Sequence, residues 1–104
     1  MKYINKKLTI ENVKVQNIAK KFGTPAYCYS YNQLKTNINN FKRSFKSFSP
    51  LICFAIKSNT NVNLISEIRK LGLGADVVSM GELMKALKAG IKPNKIVFSG
   101  VGKT

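Results

Sequence analysis

The sequence predicts an α/β fold in which βα units follow one another along a parallel sheet. Three features predict it. Short apolar, β-prone runs begin near residues 51, 75 and 95, an amphipathic helical stretch separates each from the next, and a glycine closes each of those helices. The strand starts lie about 20 to 24 residues apart, which leaves room for the crossover helix that parallel neighbours require. Three such units can open either a doubly wound sheet or a (β/α)8 barrel. A barrel takes about 250 residues. The 104 residues here stop directly after the third strand, so the expectation is the beginning of a larger domain.

Along the chain, Lys7 to Val13 alternates like a short strand, and Val15, Ile18, Ala19 and Phe22 mark a helix ended by Gly23. Thr24-Pro25 breaks that pattern. Ala26 to Tyr31, AYCYSY, is aromatic and β-prone and is expected to be a strand. From Asn32 the period changes: Leu34, Ile38, Phe41, Phe45 and Phe48 are spaced 4, 3, 4 and 3 apart, with Lys35, Lys42, Arg43 and Lys46 between them. That is an amphipathic helix with a basic outer face. After Pro50, Leu51 to Ile56 reads as a buried strand. The helix through Val62, Ile65, Ile68 and Leu71 stops at Gly72, just after Arg69 and Lys70, where a C-terminal glycine and last-turn cations both favour termination. Ala75 to Val78 is the second strand. Ser79-Met80-Gly81-Glu82 has capping-box spacing, and its helix is expected to pack through Leu83, Met84 and Leu87 before Gly90. Lys95 to Phe98 is the third strand and runs into Ser99-Gly100.

Composition narrows the class. With 44% hydrophobic residues and no low-complexity tract the chain is globular. Its net charge of +14 comes from 18 basic residues against Glu11, Glu67, Asp76 and Glu82. Such a balance invites a nucleic-acid reading. Only Arg43 and Arg69 among the cations are arginines, however, and the lysines are scattered rather than gathered, which is the pattern of a solvated surface. Nucleic-acid binding is therefore the minority expectation. Cys28 and Cys53 sit in apolar runs and read as reduced core residues. With no histidine and no second cysteine pair, no metal site is expected. The N-terminus lacks a signal-peptide core, and no apolar run approaches the ~18 residues of a membrane span. A soluble cytoplasmic protein is the expectation.

Parallel βα arrays place their chemistry at the carboxyl edge of the strands. Three groups fall there: Lys57-Ser58-Asn59, Asp76 to Ser79, and Ser99 to Lys103. A lysine at the mouth of an apolar strand is expected to be partly desolvated, which favours the neutral amine. Such an amine can attack a carbonyl and form a Schiff base. The competing reading is a strand-end lysine whose stem snorkels to water. Asp76, set inside GADVVS, can orient a cofactor, pair with Lys57, or make a structural strand-end hydrogen bond. For Glu82 the capping role suffices. The C-terminal GVGKT resembles the tail of a phosphate-binding P-loop, but that motif needs glycine where Val97 stands.

Four blocks, FGTPAYCYS, FAIKSNTN, LGLGADVVSMGEL and KIVFSGVGKT, in this order and at these spacings, resemble the N-terminal part of the diaminopimelate decarboxylases. These belong to the pyridoxal-phosphate-dependent group shared with ornithine and arginine decarboxylases of the barrel type. The resemblance runs from Phe22 to Thr104. It implies the first three βα units of a (β/α)8 barrel over residues 31–104, preceded by residues 1–30 belonging to a β-rich second domain. It implies pyridoxal 5'-phosphate as cofactor, Lys57 as the catalytic lysine that carries it, and Asp76 and Ser79 as cofactor-proximal residues. The reaction implied is decarboxylation of meso-diaminopimelate to lysine by an enzyme that is a homodimer at full length, with the ring serving as electron sink.

Two departures stand out. Ser58 replaces the usual small alanine after the lysine. The glycine-rich phosphate loop, the acid that pairs with the pyridine nitrogen, and the substrate-binding residues of the family all lie downstream of Thr104. Three units also leave the third strand as an open edge, so the 104 residues alone are expected neither to fold stably nor to decarboxylate. Among related barrels, the alanine racemase pattern continues K-A-x-x-Y-G where this chain has K-S-N-T-N. Ornithine-type and carboxynorspermidine-type decarboxylases are nearer alternatives, and a small basic nucleic-acid-binding module is the alternative from another class.

Overall fold

The computed structural model describes residues 1–101, which form two compact units, Met1–Phe41 and the residues from Lys42 onward. The first unit opens with an antiparallel meander of β1 (Lys2–Ile4), β2 (Lys7–Ile10) and β3 (Val13–Lys14). Ile4 pairs with Lys7, so the loop between β1 and β2 has two residues, Asn5 and Lys6, both at positive φ, as a tight hairpin turn demands. Thr9 and Ile10 are buried, and the Thr9 hydroxyl donates to the Lys2 carbonyl at 3.0 Å. Helix α1 (Val15–Phe22) half-buries Val15, Ile18 and Ala19 and ends at Gly23, whose N–H donates to Ala19 O at 2.8 Å.

The strand expected over Ala26–Tyr31 does not form. Residues 26–30 carry no regular element, and α2 (Tyr31–Ser44) already begins at Tyr31. Aromatic β-propensity is a fit to a pleated, half-buried surface, and Tyr27 is 92% exposed, with no strand among the described residues pairing with its segment. Cys28 is likewise exposed rather than in a core.

Helix α2 starts on a composite cap. Ser30 Oγ accepts from Gln33 N at 3.1 Å and donates to Glu11 Oε1 at 2.8 Å, and the same carboxylate oxygen accepts from Asn32 N at 2.8 Å. An acid brought from the β2–β3 turn thus satisfies donors at the helix start and complements its dipole. The helix ends earlier than its apolar spacing predicts. After Ser44 the backbone tightens into i→i−3 bonds, Phe45 N to Lys42 O and Phe48 N to Phe45 O, before Ser49 at positive φ and Pro50.

The second unit carries a parallel sheet in the order β4 (Cys53–Ala55), β5 (Gly74–Val77), β6 (Ile96–Phe98). Helices α3 (Val62–Lys70) and α4 (Met80–Lys88) provide the two crossovers. Strand periodicity then sorts the residues. Ala75 and Val77 point to one face and pack with Ile56, Ile65, Ala86, Ala89 and Ile91 in the buried core. Gly74 and Asp76 point to the other face. Gly74 has a steric reason: a Cβ there would stand 2.2 Å from the Lys95 carbonyl oxygen. The expected strand Leu51–Ile56 is shorter, Cys53–Ala55, and half-buried, so Cys53 lies at the margin of the core. Packing of α4 also differs. Ala86 and half-buried Leu83 face the core, while Met84 and Leu87 are 60% and 40% exposed.

Candidate functional site at the carboxyl edge of the sheet

Parallel register aligns Ala55 with Asp76 and Asp76 with Val97, so the carboxyl ends of the three strands lie side by side. The segments leaving the three strands therefore meet at one edge.

After β4 the chain enters a 3-10 turn, Ile56–Ser58. Ile56 is fully buried and anchors the turn from below. Ser58 Oγ donates to Ala55 O at 2.7 Å, and Asn59 N donates to Ile56 O at 3.0 Å. Asn59 Oδ1 accepts from Asn61 N at 3.0 Å, and Asn61 Oδ1 caps α3 by accepting from Asn63 N at 2.9 Å. The polar run Ser58 to Asn63 is thus a series of side-chain clips that hold the loop carrying Lys57. Lys57 itself is exposed, so the partial burial expected for it is not supplied by the described residues. Nor does it pair with Asp76, since the ion pair found among the described residues is Lys70–Glu67.

Asp76 is half-buried at the β5 edge, and its Oδ1 accepts from Ser99 Oγ at 2.6 Å. Its charge reaches Cys53: desolvation chiefly, and the Asp76 carboxylate secondarily, push that thiol above its ordinary value. Ser79 is the N-cap of α4, its Oγ accepting from Glu82 N at 3.2 Å. The reciprocal bond is displaced by one residue from the usual box, because Glu82 Oε2 accepts from Val78 N at 2.9 Å. Accepting that bond leaves the Ser79 hydroxyl proton available to another acceptor.

Ser99 was placed at this edge by the strand pattern, but its bond to Asp76 spans 23 positions and has no local signal. Gly102, Lys103 and Thr104 lie outside the described residues.

A carbonyl cofactor needs an uncommitted primary amine on a fixed loop, with space and polar groups beside it. Lys57, which has no ion pair among the described residues, and the Asp76–Ser99 pair at the same carboxyl edge meet those needs in part. Residues 31–104 match the family described as pyridoxal-dependent decarboxylase, pyridoxal binding domain. The chain belongs to this family. It is 45% identical over its whole length to a diaminopimelate decarboxylase of Aquifex aeolicus. It also superposes on the crystal structure of diaminopimelate decarboxylase from M. jannaschii with a TM-score of 0.92 at 36% identity, over 99% of this chain and 25% of that one. The Helicobacter pylori enzyme complexed with L-lysine matches with a TM-score of 0.80 at 45% identity, over 88% of this chain and 23% of that one. The chain spans 24% of the Aquifex relative, so it corresponds to about a quarter of such proteins. No helix among the described residues is long and apolar enough to cross a membrane.

Proposed function

We propose that this chain supplies the lysine-bearing edge of a pyridoxal-phosphate-dependent amino-acid decarboxylase acting on meso-2,6-diaminopimelate to give L-lysine and carbon dioxide. The observation that carries the reading is Lys57, without an ion pair among the described residues, on a clipped loop at the sheet edge that also carries Asp76, within residues that match a pyridoxal binding domain. The L-lysine bound to the Helicobacter relative supports the choice of substrate. In this reading residues 31–104 form the first three βα units of a (β/α)8 barrel, residues 1–30 belong with a β-rich second domain, and the complete enzyme works as a cytoplasmic homodimer.

Lys57 holds the cofactor through its Nζ and can carry a proton on that atom when released from it. Asp76 presents a carboxylate on the open sheet face, where it orients the bound group. Ser79, with its oxygen engaged in the α4 cap, has a hydroxyl proton to offer. When bound, pyridoxal phosphate supplies an electron sink for the carbanion left by carboxylate loss.

Borohydride reduction of the full-length protein with pyridoxal phosphate, followed by peptide mapping, is expected to label Lys57. A label on another lysine refutes the assignment. Carbon dioxide release from meso-diaminopimelate, abolished by Lys57→Ala, tests the reaction itself.

A further inference from the structure

We propose that Ser99 is a positioning residue, one that orients the Asp76 carboxylate and through it the cofactor held at Lys57; this rests on the functional reading above. Three constraints fix Ser99. Its N–H donates to Val77 O at 3.0 Å, extending the β5–β6 pairing one residue beyond Phe98. The next residue, Gly100, lies so close to the end of β5 that a Cβ would stand 2.7 Å from Val78 O and 2.9 Å from the Phe98 ring. Its hydroxyl then donates to Asp76 Oδ1 at 2.6 Å, the short distance of a charge-assisted bond.

An aspartate carboxyl otherwise turns freely about its last torsion, which has broad wells. Tying one oxygen to a hydroxyl whose backbone is clamped removes that freedom. The second oxygen makes no hydrogen bond or ion pair among the described residues. Ser99 therefore presents it, in one orientation, at the carboxyl edge of the sheet, where Asp76 is level with Ala55 and the loop carrying Lys57 leaves β4.

The test uses the full-length protein loaded with pyridoxal phosphate, in Ser99→Ala, Ser99→Thr, Asp76→Asn and the Ser99→Ala/Asp76→Asn double variant. Misplacement of a reacting group by about 1 Å costs on the order of 100-fold in rate; a loosened carboxylate should cost about tenfold in kcat, with KM within about twofold. The visible circular dichroism band of the bound cofactor should change in Ser99→Ala and in Asp76→Asn alike. Ser99→Thr should restore both band and rate, and Ser99→Ala should add nothing in the Asp76→Asn background. The inference is overturned by an unchanged band in either single variant, by failure of threonine to rescue, or by additive losses in the double variant. Should Ser99→Ala not fold, the Asp76→Asn band and Ser99→Thr rate still decide it. The borohydride label separates the two levels: without Lys57 labelling the functional reading falls and takes this inference with it. With labelling and a silent Ser99→Ala, only Ser99 loses its role.

Discussion

Ser79 carries two assignments that a pair of substitutions can pull apart. Its oxygen caps α4 at 3.2 Å from Glu82 N, and the residue is exposed. Replacing an N-cap serine by alanine costs about 0.5–2 kcal/mol. The long bond and the exposure place Ser79→Ala in the lower part, about 0.5–1 kcal/mol. Glu82→Ala should cost more, about 1–3 kcal/mol, because it strands the partly buried Val78 N–H that now donates to Oε2 at 2.9 Å. Asparagine is as good an N-cap as serine. Ser79→Asn should therefore unfold in urea at the wild-type midpoint, whereas Ser79→Ala unfolds earlier. Titration with pyridoxal phosphate reads the other role: a hydroxyl that donates to the cofactor is lost in both variants, so both should bind it more weakly. Equal stability of Ser79→Ala and wild type refutes the cap. Unchanged cofactor affinity in both variants removes Ser79 from the cofactor-binding set.

The Asn32 N–H chiefly, and the Ser30 hydroxyl next, hold the Glu11 carboxyl below its ordinary value of 4.5. A lowered folded value contributes stability that is complete above that pH and drains away as the pH falls through the folded value. Glu11→Gln should accordingly flatten the acid limb of the stability curve below pH 4.5, and a limb of unchanged slope would count against the composite cap. Ile65, fully buried in the core, should lose about 2–5 kcal/mol on truncation to alanine. Leu87→Ala, at a 40% exposed site, should stay within about 1 kcal/mol in chemical denaturation. Gly72 has φ +88, and a Cβ there would approach Lys42 Nζ to 3.0 Å. Gly72→Ala should cost about 1–2 kcal/mol for the left-handed backbone alone. Lys42→Met, which removes the amine that donates to Leu71 O, should relieve the remainder, so the double variant falls short of the sum of the two.

The βα rhythm was legible because its signals are local: Gly72 and Gly90 at positive φ close the two helices, and Ser79 caps the second of them. Where the expected element did not form, what was missing among the described residues was a pairing partner. AYCYSY has the composition of a strand, but no strand among the described residues pairs with it, and composition does not report a partner. Met84 and Leu87 share the helical spacing of core residues. The buried residue of α4 is nonetheless Ala86, which packs in the same core cluster as Ala75 and Val77. The same division runs through the candidate site. Alternation along β5 places Asp76 opposite the buried Ala75 and Val77, and that much comes from period two. Its partner could not be read in that way, for Ser99 reaches Asp76 only because β6 lies parallel to β5 in a register that aligns Val97 with Asp76. A functional edge in a parallel sheet is therefore predictable as a set of positions, one after each strand. The bonds that turn those positions into a site depend on register, which is a property of the assembled sheet.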